Sequence, residues 1–546
     1  MSSSGSRRSQ PPGGTTGRSV AQNSLQIARW TLVSRFTGLA RVAVIGAVLG
    51  PTFFGNLYQS ANLLPYLTYQ FLTGTIFTAL LVPPFVRALD RGGRTAAERL
   101  AGGFLGVALV AFAVVAVVLV VAGPLLLSLL GLGLDDPQLA DEQRRLGMLL
   151  LILLMPQLAA YGIAGVGAAA MNARGRFALA AGAPALENLG TIATLLLAAQ
   201  IWGTGRELGD VSTAQAVFLG AGSTVAVVLH AGVQSWGAHR AGLTLRPRFG
   251  WADPDVRGVL EDARPSLGFS SLGALRIFGT LIVANAVAGG VVAFQLALNF
   301  YNVLTALVAR SVSTALLAGL SRLWHGGDRS GFRAALDRGM CWVLFLAVPA
   351  SLALGVMSLP IARAVTFGDL SSPAGEVLVA ACLASLALGS LADAIIVLHT
   401  TASYARADAA GPVRSMLLRL SVSVPGMVSA LLLLDGVPLL IALGVAVSAG
   451  DVLSAAHLSR RSKGVLPPGA GDVARAAGQA AVAGLASSCV ASAVALGSRT
   501  RLGGEAADLL ALLAGGACGI LVFMMVHALW RSPEAVAVLG RLRGRS

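Results

Sequence analysis

Charge is scarce in this chain. Asp, Glu, Lys and Arg make up only 12% of its 546 residues, where a soluble domain carries roughly 25%. With 55% hydrophobic residues and a mean hydropathy of +0.76, that scarcity excludes an ordinary soluble protein. Lysine is almost missing: Lys463 stands alone, and every other strong base is arginine. Cysteine is rare too. Cys341, Cys382, Cys489 and Cys518 all fall in apolar runs without CxxC or Cys/His spacing. They read as buried small hydrophobes, not as a disulfide framework or a zinc site. No Walker A loop is present, so the chain is not itself a P-loop ATPase. No His/Cys/Asp cluster has metal-ligand spacing, and nothing calls for a cofactor or marks an enzyme. Alternating ten-residue patterns are missing, which argues against a β-barrel.

What is present is a series of long apolar runs from end to end. They predict an all-α polytopic membrane protein with about fourteen transmembrane helices. The net charge is +15, from 40 Lys+Arg against 25 Asp+Glu. The bases sit mostly between apolar runs, where they act as topology signals and as contacts for anionic membrane lipids. No basic–aromatic interleaving points to nucleic acid. Segments 87–99, 174–176, 240–264, 322–338, 406–414 and 460–475, with both ends of the chain, hold most of the arginines. Alternate connections hold few, which puts both termini in the cytoplasm.

The chain divides as follows. Residues 1–24, rich in Ser, Gly, Pro and Arg, read as a disordered cytoplasmic tail and not as a signal peptide. Spans one to six occupy 25–236, the N-lobe. A cytoplasmic linker covers 237–265, where Val256, Val259 and Leu260 fit a short interfacial helix. Spans seven to twelve occupy 266–458, the C-lobe. A cytoplasmic loop (459–475), spans thirteen and fourteen (476–530) and a basic tail (531–546) follow. Span two is expected from Phe54 to Val86, kinked by Pro65, Pro83 and Pro84. A basic loop follows at 87–99, and span three at Leu100–Leu130. The hairpins NARGRFALAAGAP (172–184) and YARADAAGPVR (404–414) each follow the fourth span of a six-span half. This weak repeat predicts two six-helix lobes with a site at their interface.

The candidate site begins in span one, residues 25–50, which carries Arg29, Arg35 and Arg41. An arginine deep in a lipid-facing helix costs about 2.5–3.5 kcal/mol on insertion scales. Arg35 and Arg41 lie roughly 9 and 18 Å along the axis from Arg29, so one interface cannot serve all three. Either the helix lines a polar cavity where substrate is handled, or its arginines bridge neighbouring helices. Arg29 fits an interfacial position. Asn56, Gln59, Asn62, Tyr66, Tyr69 and Gln70 make the first half of span two too polar for a lipid face. Arg276 in span seven, and Gln295, Asn299, Asn302 and Arg310 in span eight, extend this polarity. Asp393 with His399 fits a proton relay or a structural pair, although a spacing of six puts them on different helix faces. Asp451 with His457 repeats that spacing. Glu187 is expected to pair with Arg174 or Arg176 at the mouth of span five.

The stretches MNARGRFALAAGAPALEN (171–188), VSRFTGLAR (33–41), LRPRFGWADPDVRGVL (245–260), GLSRLWHGGDRSGFRAALDRG (319–339), PIARAVTFG (360–368) and SYARADAAGPVR (403–414) carry a resemblance. As an ordered set, the sequence resembles the MurJ/MviN family, lipid II flippases of the multidrug/oligosaccharidyl-lipid/polysaccharide exporter superfamily. The resemblance implies two six-helix lobes around a central cavity, plus two C-terminal helices that form a lipid-tail groove. It implies a bacterial cytoplasmic membrane transporter that flips undecaprenyl-pyrophosphate-linked glycan by alternating access, with Arg35 and Arg41 meeting the pyrophosphate. A guanidinium suits that role because it stays charged and binds phosphate bidentately. Asn56, Tyr69, Gln70, Arg276, Asn299 and Asn302 join them as candidate substrate contacts. The sequence departs from the family at Val42, Asn56, Gln70, Gly74-Thr75, Asn299 and Asn302, where amides, an aromatic neighbourhood and apolar residues replace charges. Two other classes stay open: an exporter of a different lipid-linked glycan or amphiphile, and a non-transporting scaffold for cell-envelope synthesis proteins.

Overall fold

The computed structural model describes residues 15–73, 81–134, 136–469, 471–499 and 507–542, apart from the side chains of 15–28, 262–270 and 541–542. Backbone groups in a bilayer core find no water, so long apolar segments close their hydrogen bonds internally as helices. The N-lobe contains α1 (Thr15–Leu49), α2 (Phe53–Thr73), α3 (Val82–Val121), α4 (Gly123–Leu130), α5 (Pro137–Leu154), α6 (Gln157–Ala173), α7 (Phe177–Gly182), α8 (Pro184–Trp202) and α9 (Thr213–Arg240). The C-lobe contains α10 (Pro254–Asn285), α11 (Gly290–Thr305), α12 (Ser311–His325), α13 (Arg329–Val356), α14 (Ser358–Val365), α15 (Pro373–Ala405), α16 (Ala410–Leu433) and α17 (Gly436–Val465). Helices α18 (Asp472–Arg499), α19 (Ala507–Leu529) and α20 (Pro533–Leu542) complete the chain.

Among the described residues, 12 helical segments are long and apolar enough to cross a membrane. Helix α2, 21 residues long, and α10, whose apolar part is Ser271–Asn285, bring the spans to the expected fourteen. The chain is thus an all-α, multi-pass membrane protein. In the N-lobe, α1 packs on α8, and α6 and α8 pack on α9. In the C-lobe, α15 and α16 pack on α17, and α11 on α15. Helices α18 and α19 pair with each other and lean on α13.

Several boundaries differ from expectation. Helix α1 begins at Thr15, inside the segment read as a disordered tail; residues 1–14 lie outside the described residues. Helix α2 is described to Thr73, and residues 74–80 lie outside the described residues. Pro83 and Pro84 open α3 instead of kinking α2, because a first turn has no partner for the N–H that proline lacks. The basic stretch 87–99 is helical and broken only at Gly93, whose φ of 61° and ψ of −155° lie outside helical space. Gly74-Thr75 lie outside the described residues. Val256 and Val259 do not lie in a separate interfacial helix. They form the first turns of α10 and are buried against α3, where Gly103 leaves room for Val256. Of the cysteines, Cys341 and Cys382 are buried, but Cys489 is exposed and Cys518 half-buried. The outer face of a membrane helix meets lipid, so an apolar side chain there needs no protein cover.

At the end away from the basic loops, hydrogen bonds tie the lobes together. Asn56 on α2 donates to Val287 O (2.6 Å) and accepts from Val291 N–H (2.9 Å). It thereby ties α2 to the turn between α10 and α11. Asn285 donates to Ser60 Oγ at 2.9 Å. Gly289 (φ 72°) donates to Thr52 O, and a Cβ there would run into Pro51. Toward the other end, which carries the basic loops, side chains of both lobes stand uncovered: Arg35, Tyr66 and Phe71 from one, Asn302 and Arg310 from the other.

Candidate functional site

Each lobe buries a cluster of charges, and each cluster includes an arginine from the first span of its lobe. In the N-lobe, Arg41 Nη1 lies 3.3 Å from Glu187 Oε1. Tyr161 OH donates to the same oxygen at 2.9 Å, and His230 Nδ1 lies 3.1 Å from Oε2. An ionised carboxylate only accepts, so Nδ1 of His230 carries the proton in this contact. The cluster joins α1, α6, α8 and α9. Burying Glu187 is tolerable because both of its oxygens are paired. Tyr69 and Tyr66 cover it, with ring centroids 5.6 and 5.9 Å from Tyr161.

In the C-lobe, Asp451 on α17 is fully buried. Its Oδ1 accepts from Arg276 Nη1 at 2.9 Å and also from Arg419 Nε, while Oδ2 accepts from Tyr301 OH at 2.6 Å. Arg419 also reaches Asp393 Oδ1 at 2.9 Å and Tyr301 OH at 3.1 Å. Two arginines against two carboxylates leave the cluster formally neutral. It joins α10, α11, α15, α16 and α17. The clusters occupy related places. Tyr161 and Asp393 both lie eleven residues before the residue that opens their hairpin, Asn172 or Tyr404.

The remaining predicted contacts scatter. Arg35 is exposed, on a different face of α1 from Arg41, beyond Leu39 and Val42, which pack into the inter-lobe core. Tyr69 and Gln70 are half-buried on α2. Asn302 is exposed on α11, and Asn299 donates to Gln295 O of its own helix at 2.8 Å. Asn56 is a correction: its amide is consumed at the inter-lobe seal and it is fully buried. Glu187 does not pair with Arg174 or Arg176; Arg174 instead caps Ala241 O at 3.1 Å. The Asp393–His399 relay is not formed either. His399 faces Ser462 Oγ at 3.1 Å while Asp393 pairs with Arg419, as their spacing on opposite helix faces requires. Asp451 likewise pairs with arginines and not with His457.

Sequence reasoning did not single out Arg419, Tyr301, Tyr161 or His230. The signal for Arg419 was an arginine inside the apolar run of span eleven, where an isolated charge is expensive. Outside the membrane spans, the hairpin after α15 is fixed by Asp408. It accepts from Arg461 Nε and Nη2 at 2.8 and 3.1 Å and from Gly411 N–H at 3.0 Å. Arg461 holds that carboxyl below its usual range.

Comparison with known proteins fits this geometry. The family described as "Lipid II flippase MurJ" matches residues 45–500, a stretch that begins after Arg35 and Arg41. A protein of Rhizobium tropici named "Probable lipid II flippase MurJ" is 26% identical over 407 residues, 74% of this chain and 74% of its own. "Lipid II flippase MurJ" of Burkholderia cenocepacia is 25% identical over 399 residues, 71% of this chain and 74% of its own. The solved structure "Lipid II flippase MurJ, inward closed conformation" superposes with a TM-score of 0.71 at 17% identity, covering 93% of this chain and 98% of that one. An inward-facing multidrug resistance MATE family transporter of the MOP superfamily gives 0.64 at 12% identity, covering 81% and 95%. These two structures speak to the fold. The family match, spanning most of the chain, speaks to descent: the chain belongs to the lipid II flippase MurJ family.

Proposed function

We propose that this protein flips lipid II, the undecaprenyl-diphosphate-linked peptidoglycan precursor, across the bacterial cytoplasmic membrane by alternating access of its two lobes. Both termini lie in the cytoplasm, as the arginine-rich alternate loops favour. The observation that carries this reading is Arg41. It is a guanidinium deep in α1 that touches Glu187 at 3.3 Å, its Nε buried and bonded to nothing. Such a group favours a diphosphate, which a guanidinium binds through parallel charge-assisted bonds.

In this reading the diphosphate enters from the basic-loop end, where Arg35 and Arg310 are exposed. Arg35 meets it first and Arg41 follows deeper in. Tyr69, Gln70, Arg276, Asn299 and Asn302 line the path for the polar headgroup. The polyisoprenyl chain stays in lipid alongside α18 and α19. Breaking the Asn56 and Asn285 seal while the basic end closes would release the headgroup on the far side. Complementation tests this. Expression should rescue growth of a bacterium depleted of its own lipid II flippase. A well-expressed protein that fails to rescue contradicts the proposal.

A further inference from the structure

We infer that Glu187 and Asp451 are tethered counter-anions: each holds the first-span arginine of its lobe at rest and yields it to the diphosphate of the cargo. This rests on the reading of the cargo as a lipid diphosphate.

The geometry of the two carboxylates carries the inference. Each is shared, and each keeps its other partners when the arginine leaves. Without Arg41, Glu187 Oε1 retains Tyr161 OH and Oε2 retains His230. Without Arg276, Asp451 Oδ1 retains Arg419 and Oδ2 retains Tyr301 OH. Removing one partner of a buried ion pair is usually costly because the other charge is stranded. Here neither carboxylate is stranded, so the arginines are releasable. The arginines are also the most open members of their pairs. The Arg41 side chain is 20% exposed against 12% for Glu187, and Arg276 is 14% exposed against 0% for Asp451.

The consequence is selectivity. A ligand must outcompete a carboxylate already in contact with each arginine. A monophosphate offers little advantage over that internal anion. A diphosphate has more charge and two sets of oxygens, and it can draw on both arginines. Tethered carboxylates therefore tax single-phosphate lipids more than diphosphate lipids. The same competition lets the cargo leave, since each arginine has an anion to return to.

The test is binding of geranylgeranyl diphosphate and geranylgeranyl monophosphate to the full-length protein in detergent, measured by calorimetry. Wild type should prefer the diphosphate. Glu187→Gln and Asp451→Asn keep the side-chain shape and one accepting oxygen but remove the competing charge. Monophosphate affinity should rise about tenfold and diphosphate affinity less, so the preference narrows. Tyr161→Phe and Tyr301→Phe remove reserve partners and should weaken binding of both lipids, an opposite sign that a general packing defect in all four variants would not give. If Glu187→Gln or Asp451→Asn does not fold, the tyrosine variants decide alone. A wild type that prefers diphosphate, with all folded variants binding as it does, overturns the counter-anion role and leaves the cargo reading standing. A wild type that binds neither lipid overturns both.

Discussion

Arg41 and Glu187 stand 146 residues apart in the chain and 3.3 Å apart in the fold. The contact links the first span of the N-lobe to its fifth. At rest, Arg41 bridges helices, while Arg29 and Arg35 are exposed. The C-lobe repeats the arrangement with Arg276 and Asp451.

Asp451→Ala should be strongly destabilising. It strands Arg276 and leaves Arg419 with Asp393 and Tyr301 OH alone, and loss of one partner from a buried pair costs about 3–5 kcal/mol. Thermal unfolding of the purified protein in detergent should show a clearly lower midpoint. An unchanged midpoint would mean that the C-lobe cluster does not hold α10, α16 and α17 together.

Asn56→Ala leaves Val291 N–H without a partner at the inter-lobe seal and Val287 O with Gly290 N–H alone. The buried orphan costs about 1–3 kcal/mol, and the loss falls on the closed end alone. A cysteine placed at Ser60, buried in the seal, should then be alkylated faster than in an otherwise unaltered protein. Equal rates would show that Asn56 does not seal the lobes.

Asp408 sets an acid limit on the hairpin between α15 and α16. Arg461 lowers its folded pKa below the ordinary 3.8. The pair therefore contributes stability above that ordinary value and loses it as pH falls through the folded value. The pair is partly exposed, so its worth is at most about 1 kcal/mol. Asp408→Asn should lower the midpoint slightly at neutral pH and match the wild type once acid has protonated the carboxyl. A difference that persists unchanged in acid would point to a role other than the ion pair.

Cys489 faces outward from α18 and Cys382 is buried in α15. A membrane-permeant maleimide should label Cys489 in the folded protein and Cys382 only after unfolding. Labelling of Cys382 under native conditions would contradict the packing of α15.

Much of this was legible in the chain. Apolar length sufficed for the spans, because a bilayer leaves few other solutions, and the weak hairpin repeat with the family resemblance supplied the two lobes. Pro83 and Pro84 misled because proline breaks a helix interior yet starts a helix well, and the sequence does not say which applies. Val256 and Val259 looked interfacial because their buried partner, Gly103 on α3, is remote in sequence. The site was half legible. An arginine inside an apolar run needs an anion, and Arg41 and Arg276 carry that demand on their face. Which anion answers depends on helices that meet only after folding. Glu187 found Arg41 across the lobe instead of its sequence neighbours Arg174 and Arg176, and Asp393 found Arg419 instead of His399.

Flipping in proteoliposomes tests the assigned function and site together. The measurement is translocation of fluorescently labelled lipid II by purified wild type and by the Arg35→Ala, Arg41→Ala double variant, at equal reconstitution and equal thermal stability. Translocation by wild type and its loss in the double variant, by about tenfold or more as expected for two charge-assisted phosphate contacts, is the predicted result. Undiminished translocation by the double variant would contradict the assigned site, and none by the wild type would contradict the function.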